Sequence, residues 1–104
     1  MATTSKVLFR GAASTSSVTL YTVPTTSTTT VVTNILVANT TASGGTFTLL
    51  IDDVSIATNV GVVANDTTAI DLKQVIPANA TPKTIKGSAS ATTINFHISG
   101  VEIA

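Results

Sequence analysis

One histidine, one pair of adjacent carboxylates and ten serines are the residues of this 104-residue chain best suited to chemistry, and none has the company that chemistry needs. Nucleophilic catalysis requires a base beside the nucleophile. His97 is the sole histidine, cysteine is absent, and no G-x-S-x-G elbow occurs among the serines. On the polar side of an alternating segment, His97 reads as a surface or interface residue. Asp52 and Asp53 are the residue types of a glycosidase pair or a calcium site. As neighbours in a turn their side chains point apart, and the further oxygens of a D-x-D-x-D loop are missing. Asp in a turn is explained by its hydrogen bonds to local backbone. A zinc site needs several His, Cys or carboxylate ligands, which this chain cannot gather. The expectation is a chain with no catalytic residue, no metal and no cofactor.

Binding chemistry is equally sparse. Five basic and five acidic residues give a net charge of zero, so no basic patch is available for nucleic acid. There is no Trp, one Tyr and three Phe (Phe9, Phe47, Phe96), too few aromatic faces for base stacking and a poor set for sugar recognition. N-x-[ST] sequons at Asn39, Asn65 and Asn79 are what chance supplies in a chain with 22 Thr. The apolar runs are too short to span a membrane, and MATTSKVLFRGAAS lacks the long apolar core of a signal peptide. Neither nucleic acid nor membrane is expected as a partner.

The elements that must position these residues are strands. Val and Ile number 21 against 6 Leu, and no stretch places Ala, Leu, Glu and Lys at helical spacing. β-Branched side chains lose χ1 freedom against a helical turn and fit a pleated, half-buried surface. Strands are predicted at Lys6–Arg10, Ser17–Val23 (stopped by Pro24), Thr30–Asn39, Thr46–Ile51, Val54–Asn59, Thr67–Lys73, Lys83–Ser88 and Thr93–Ile103. The unbroken apolar triplet Ile35-Leu36-Val37 predicts burial on both faces, hence a central strand or one covered by a neighbouring subunit. Asp52-Asp53 is a two-residue hairpin turn without the preferred glycine. In the last segment Ile94, Phe96 and Ile98 share one face and Asn95, His97 and Ser99 the other; Gly100 interrupts the pattern and predicts a bulge. About eight short strands near ten-residue spacing predict an all-β fold, a compact antiparallel β-sandwich of jelly-roll type. One domain is expected over residues 6–104, preceded by a polar N-terminal arm over residues 1–5.

Only 10% of residues are charged, where about 25% is usual. A surface of hydroxyls rather than ions suits permanent packing between subunits, since it wets without the desolvation cost of ions. Absence of cysteine points to assembly in a reducing cytoplasm or to stability gained from partner subunits.

Several segments in order carry a resemblance: Tyr21-Thr22-Val23-Pro24, Ile35-Leu36-Val37-Ala38-Asn39, Thr46-Phe47-Thr48-Leu49, Ala64-Asn65-Asp66-Thr67, Ile85-Lys86-Gly87-Ser88-Ala89-Ser90 and Gly100-Val101-Glu102-Ile103. Together, from about Ser17 to Ala104, they resemble the small β-sandwich virion proteins of tailed bacteriophages. Asn79-Ala80-Thr81-Pro82 departs from the Gly-Asp turn usual there. The resemblance implies a non-enzymatic structural protein located in the virion and no catalytic residues. The preferred role is a capsid decoration (cement) protein bridging capsomers, with the major capsid protein and copies of itself, as a homotrimer, for partners. Ala2, Thr3, Thr4 and Ser5 of the arm are the expected capsid contacts. The alternative is a tail, neck or fibre component binding a host-surface glycan or receptor.

Overall fold

Alternating β-branched segments leave one face of each strand apolar, and two such faces closed on one another make the structure. The computed structural model describes residues 2–104; Met1, first residue of the expected arm, lies outside the described residues. Eight strands form: β1 (Thr3–Ala12), β2 (Val18–Thr22), β3 (Thr29–Asn39), β4 (Gly45–Ile51), β5 (Val54–Val62), β6 (Thr67–Ile76), β7 (Thr84–Ala89) and β8 (Ile94–Ile103). They build two four-stranded antiparallel sheets, β1-β8-β3-β6 and β2-β7-β4-β5. The pairs β1·β8, β2·β7, β3·β6 and β4·β5 nest like one long hairpin rolled up from its tip, which is the winding of a jelly roll. No helix occurs among the described residues.

The core lies between the sheets. Val32, Ile35 and Val37 of β3 and Ile94, Phe96 and Ile98 of β8 face Phe47, Leu49 and Ile51 of β4 and Ile85 of β7, all of them buried. Phe47 and Phe96 meet edge to face across the interior, with ring centroids 6.2 Å apart at 72°, a geometry that sets a positive ring edge against a negative face. At the tip, Asp52 and Asp53 take φ of 55° and 60°, the left-handed pair that a tight hairpin needs and that Asp tolerates.

Three sequence expectations are corrected. Thr3, Thr4 and Ser5 are not an arm: they begin β1 and pair with Ile103, Glu102 and Val101, while Ala2 and Ala104 exchange backbone hydrogen bonds of 2.8 and 2.9 Å. A polar segment pairs as readily as an apolar one where a neighbouring strand offers a free edge. Second, β3 is central but is buried on one face, with Leu36 half-buried outside between buried Ile35 and Val37. Third, β8 keeps its inward alternation through Gly100, and the register breaks in its neighbours instead, at Leu8 of β1 and Thr33 of β3. Gly100 is glycine because a Cβ there would strike the Val31 carbonyl oxygen and approach Leu8 Cδ1 at 2.9 Å.

Candidate functional site

The candidate site is a set of surfaces and one polar cluster, since the residues suited to catalysis are scattered. His97 lies on the outer face of the first sheet between Arg10 of β1 and Leu36 of β3, its neighbours in the ladder. The Asp52 and Asp53 carboxylates go to different lysines, Lys83 at 3.3 Å and Lys86 at 2.8 Å. Lys86 holds the Asp53 carboxyl below the usual carboxylate range by hydrogen bond and charge. Both acids thereby brace the β4–β5 tip against β7. No group of three or more His, Cys, Asp or Glu able to hold a metal occurs among the described residues. Asn39, one of the three sequons, is buried, and its side-chain amide donates to Ser43 O at 2.8 Å and Val62 O at 3.3 Å. It fastens the loop after β3 from inside.

The cluster that sequence reasoning missed joins the two sheets at one end. Tyr21 of β2 places its hydroxyl 2.5 Å from Glu102 Oε2 of β8 and 2.8 Å from Thr30 Oγ1 of β3. A phenol has a single proton, which goes to the carboxylate, so the Thr30 hydroxyl donates to the Tyr21 oxygen. Lys6 closes the set at 3.4 Å from Glu102, whose side chain is only 14% exposed. The signal available in the sequence was a lone Glu inside the apolar ending GVEIA. Burial, then the hydrogen bond to Glu102, pushes the Tyr21 pKa up to about 12. The folded chain therefore keeps a proton that the unfolded chain releases near pH 10, so this contribution is complete below about pH 10 and is lost as pH rises through about 12. Tyr21→Phe, which strands Glu102 and Thr30, is expected to cost about 1–3 kcal/mol and to remove that alkaline loss. Urea midpoints for both proteins at about pH 8 and about pH 11 check it; equal alkaline losses would show that the cluster does not carry the effect.

Two shallow recesses mark the outer faces. One of 230 Å³ on the second sheet is lined by hydroxyls, among them Thr15, Thr46, Thr48, Ser88 and Ser90, together with Asn59. Thr48 Oγ1 already accepts the Asn59 N–H at 3.1 Å and Ser90 Oγ the Thr46 N–H at 3.0 Å. Its one aromatic, Phe47, is buried, so no exposed ring face is offered to a sugar. The other, on the outside of the first sheet, holds Ser5, Lys6, Val7, Thr33 and Ser99 along the line of register breaks. Of the expected contact residues, Ala2, Thr3, Thr4 and Ser5 are all exposed on the β1 side of that sheet. On the opposite flank, Val54, Ile56 and Val60 of β5, Val63 just after it and Val75 of β6 are exposed, apolar residues that the sequence reading did not mark.

No protein-family model matches the chain, and no curated protein is similar to it in sequence. Among solved structures it is similar to a chain in the structure of infectious bursal disease virus, Gx strain, at 17% identity and a TM-score of 0.55 over 97% of its own length. It is also similar to the VP2 subviral particle of infectious bursal disease virus, at 12% identity and a TM-score of 0.52 over 97% of its length. The chain spans about a third of each of those chains, 32% and 31% respectively. At such identities the likeness is one of fold, and it supports the jelly-roll assignment made from strand order.

Proposed function

We propose that the protein is a non-enzymatic structural component of a virion. Within that reading it is a decoration protein of a tailed-phage head, seated across seams between capsomers, with the major capsid protein and copies of itself as partners. The observation that carries the proposal is the pairing of fold with surface. A jelly-roll sandwich similar in fold to a chain of a virus particle presents outer faces of hydroxyls with 10% of its residues charged. Such faces pack against protein without stranding ions, which suits a subunit held permanently in a shell. Ala2 to Ser5 belong to the proposed capsid contact as the exposed edge of β1 rather than as a reaching arm.

Quantitative mass spectrometry of gradient-purified particles tests the proposal. The expected result is this chain at a fixed ratio to the major capsid protein, retained through repeated sedimentation. Its absence from particles, with the chain free in the lysate, would contradict the reading.

A further inference from the structure

We propose that the free edge of β6 is a self-association edge, where two copies pair antiparallel about a two-fold axis through Leu72 and join their β1-β8-β3-β6 sheets into one eight-stranded sheet. An edge strand offers a row of unpaired backbone groups, and proteins blunt such rows by shortness, bulges or charge. Register breaks occur at all four edges, and three of the four are blunted further by shortness, charge or a left-handed residue. β2 has five residues and a register break beside Leu20. β1 breaks at Leu8 and carries Lys6 and Arg10. β5 breaks against β4 and holds Asn59 at φ 49°. β6 runs ten residues with no Gly, no Pro and no positive φ; its ladder also breaks, against β3 between Asp71 and Gln74 opposite Thr33, but Ile70, Leu72 and Ile76 keep facing the core on either side of the break.

The side chains of β6 are self-complementary in that register. Its outer face reads Ala69, Asp71, Lys73, Val75, all exposed. Antiparallel pairing centred on Leu72 sets Asp71 opposite Lys73 of the second copy, Lys73 opposite Asp71, and Ala69 opposite Val75, which is 59% exposed in the single chain. The three intrachain ion pairs use Lys6, Lys83 and Lys86 with Glu102, Asp52 and Asp53; among the described residues Asp71 and Lys73 join none. Opposite charges directly across a ladder attract and like charges repel, so this edge accepts itself in one register. On the inner side Ile70 and Leu72 are half-buried against the core, and a paired β6 would cover Leu72 with its own counterpart. The contact is isologous, unlike the head-to-tail contact of a cyclic trimer. It does not depend on the virion reading, since it is a property of the purified chain.

Sedimentation equilibrium of the purified protein and of two charge variants tests this. The wild type is expected at twice the 10.5 kDa chain mass. Asp71→Lys and Lys73→Asp each place like charges opposite one another and are expected to weaken the dimer about tenfold or more. Mixing the two variants restores opposite charges at both positions and is expected to restore the dimer as a heterodimer; so is combining both changes in one chain. Far-ultraviolet circular dichroism spectra like that of the wild type, with cooperative unfolding, separate lost association from lost folding in the single variants, whose positions are exposed; their melting temperatures fall only by what the dimer contributed. A wild type that stays monomeric, a mass of three chains, or single variants that dimerise as tightly as the wild type would each overturn the proposal. So would failure of the mixture to associate.

Discussion

Phe96→Ala lowers the unfolding free energy by about 3–5 kcal/mol, the cost of removing a large aromatic from a core that cannot collapse around the gap. Phe96 has no exposed surface and stands edge-on to Phe47. Around it lie Ile94 and Ile98 of its own strand, and its Cε2 is 3.3 Å from the point where a Cβ on Gly87 would sit. Gly87 thus leaves room for Phe96, Leu49 and Leu20 at the centre of the sandwich. The truncation removes both the ring's transfer energy and its contact with Phe47, which edge-to-face pairs make worth about 0.5–1.5 kcal/mol beyond area. Urea unfolding followed by far-ultraviolet circular dichroism reads the loss. An unchanged midpoint would mean that Phe96 does not face the interior.

Gly100→Ala is the second large effect, expected at about 1–3 kcal/mol through overpacking. The new methyl would meet the carbonyl of Val31 on the adjacent central strand. Leu8 Cδ1, at 2.9 Å, can rotate aside, but the Val31 backbone cannot without disturbing the β3–β8 ladder. Gly61 provides the contrast, because no atom lies within 4 Å of the Cβ it would gain. Gly61→Ala is expected to change stability by less than about 0.5 kcal/mol. Equal effects at the two positions would show that close approach of β8 to β3 is not what requires glycine.

All eight strands were legible because period-two alternation and β-branching speak directly to burial on a pleated surface, as in Ile94, Phe96 and Ile98 against Asn95, His97 and Ser99. The Asp52-Asp53 turn was legible for a similar reason: few residues accept two consecutive left-handed conformations. Three features were not. The pairing of Thr3 to Ser5 depends on β8 extending to Ile103 beside them, a long-range fact that a polar pentapeptide does not announce. The register breaks at Leu8 and Thr33 lie on strands flanking Gly100, so a reading confined to β8 placed the irregularity on the wrong strand. The Tyr21–Glu102–Thr30 cluster joins residues 81 and 9 positions apart, and only the closing of the two sheets brings them together.

The same closing explains why few charges suffice. Among the described residues every buried side-chain polar atom has a hydrogen-bond partner, and the three ion pairs sit at the ends or rim of the sandwich. Hydroxyls line the recess on the second sheet, and Thr, Ser, Asn and scattered Val share the other outer faces. That leaves the edge of β6 and the exposed apolar residues of β5 as the surfaces least finished in the chain.

Immunogold electron microscopy of intact particles, with antibody to this chain, tests the central claim most directly. Gold distributed over icosahedral heads is the predicted result. Gold confined to the neck, tail or fibres would contradict head decoration, and particles without label would contradict the virion assignment itself.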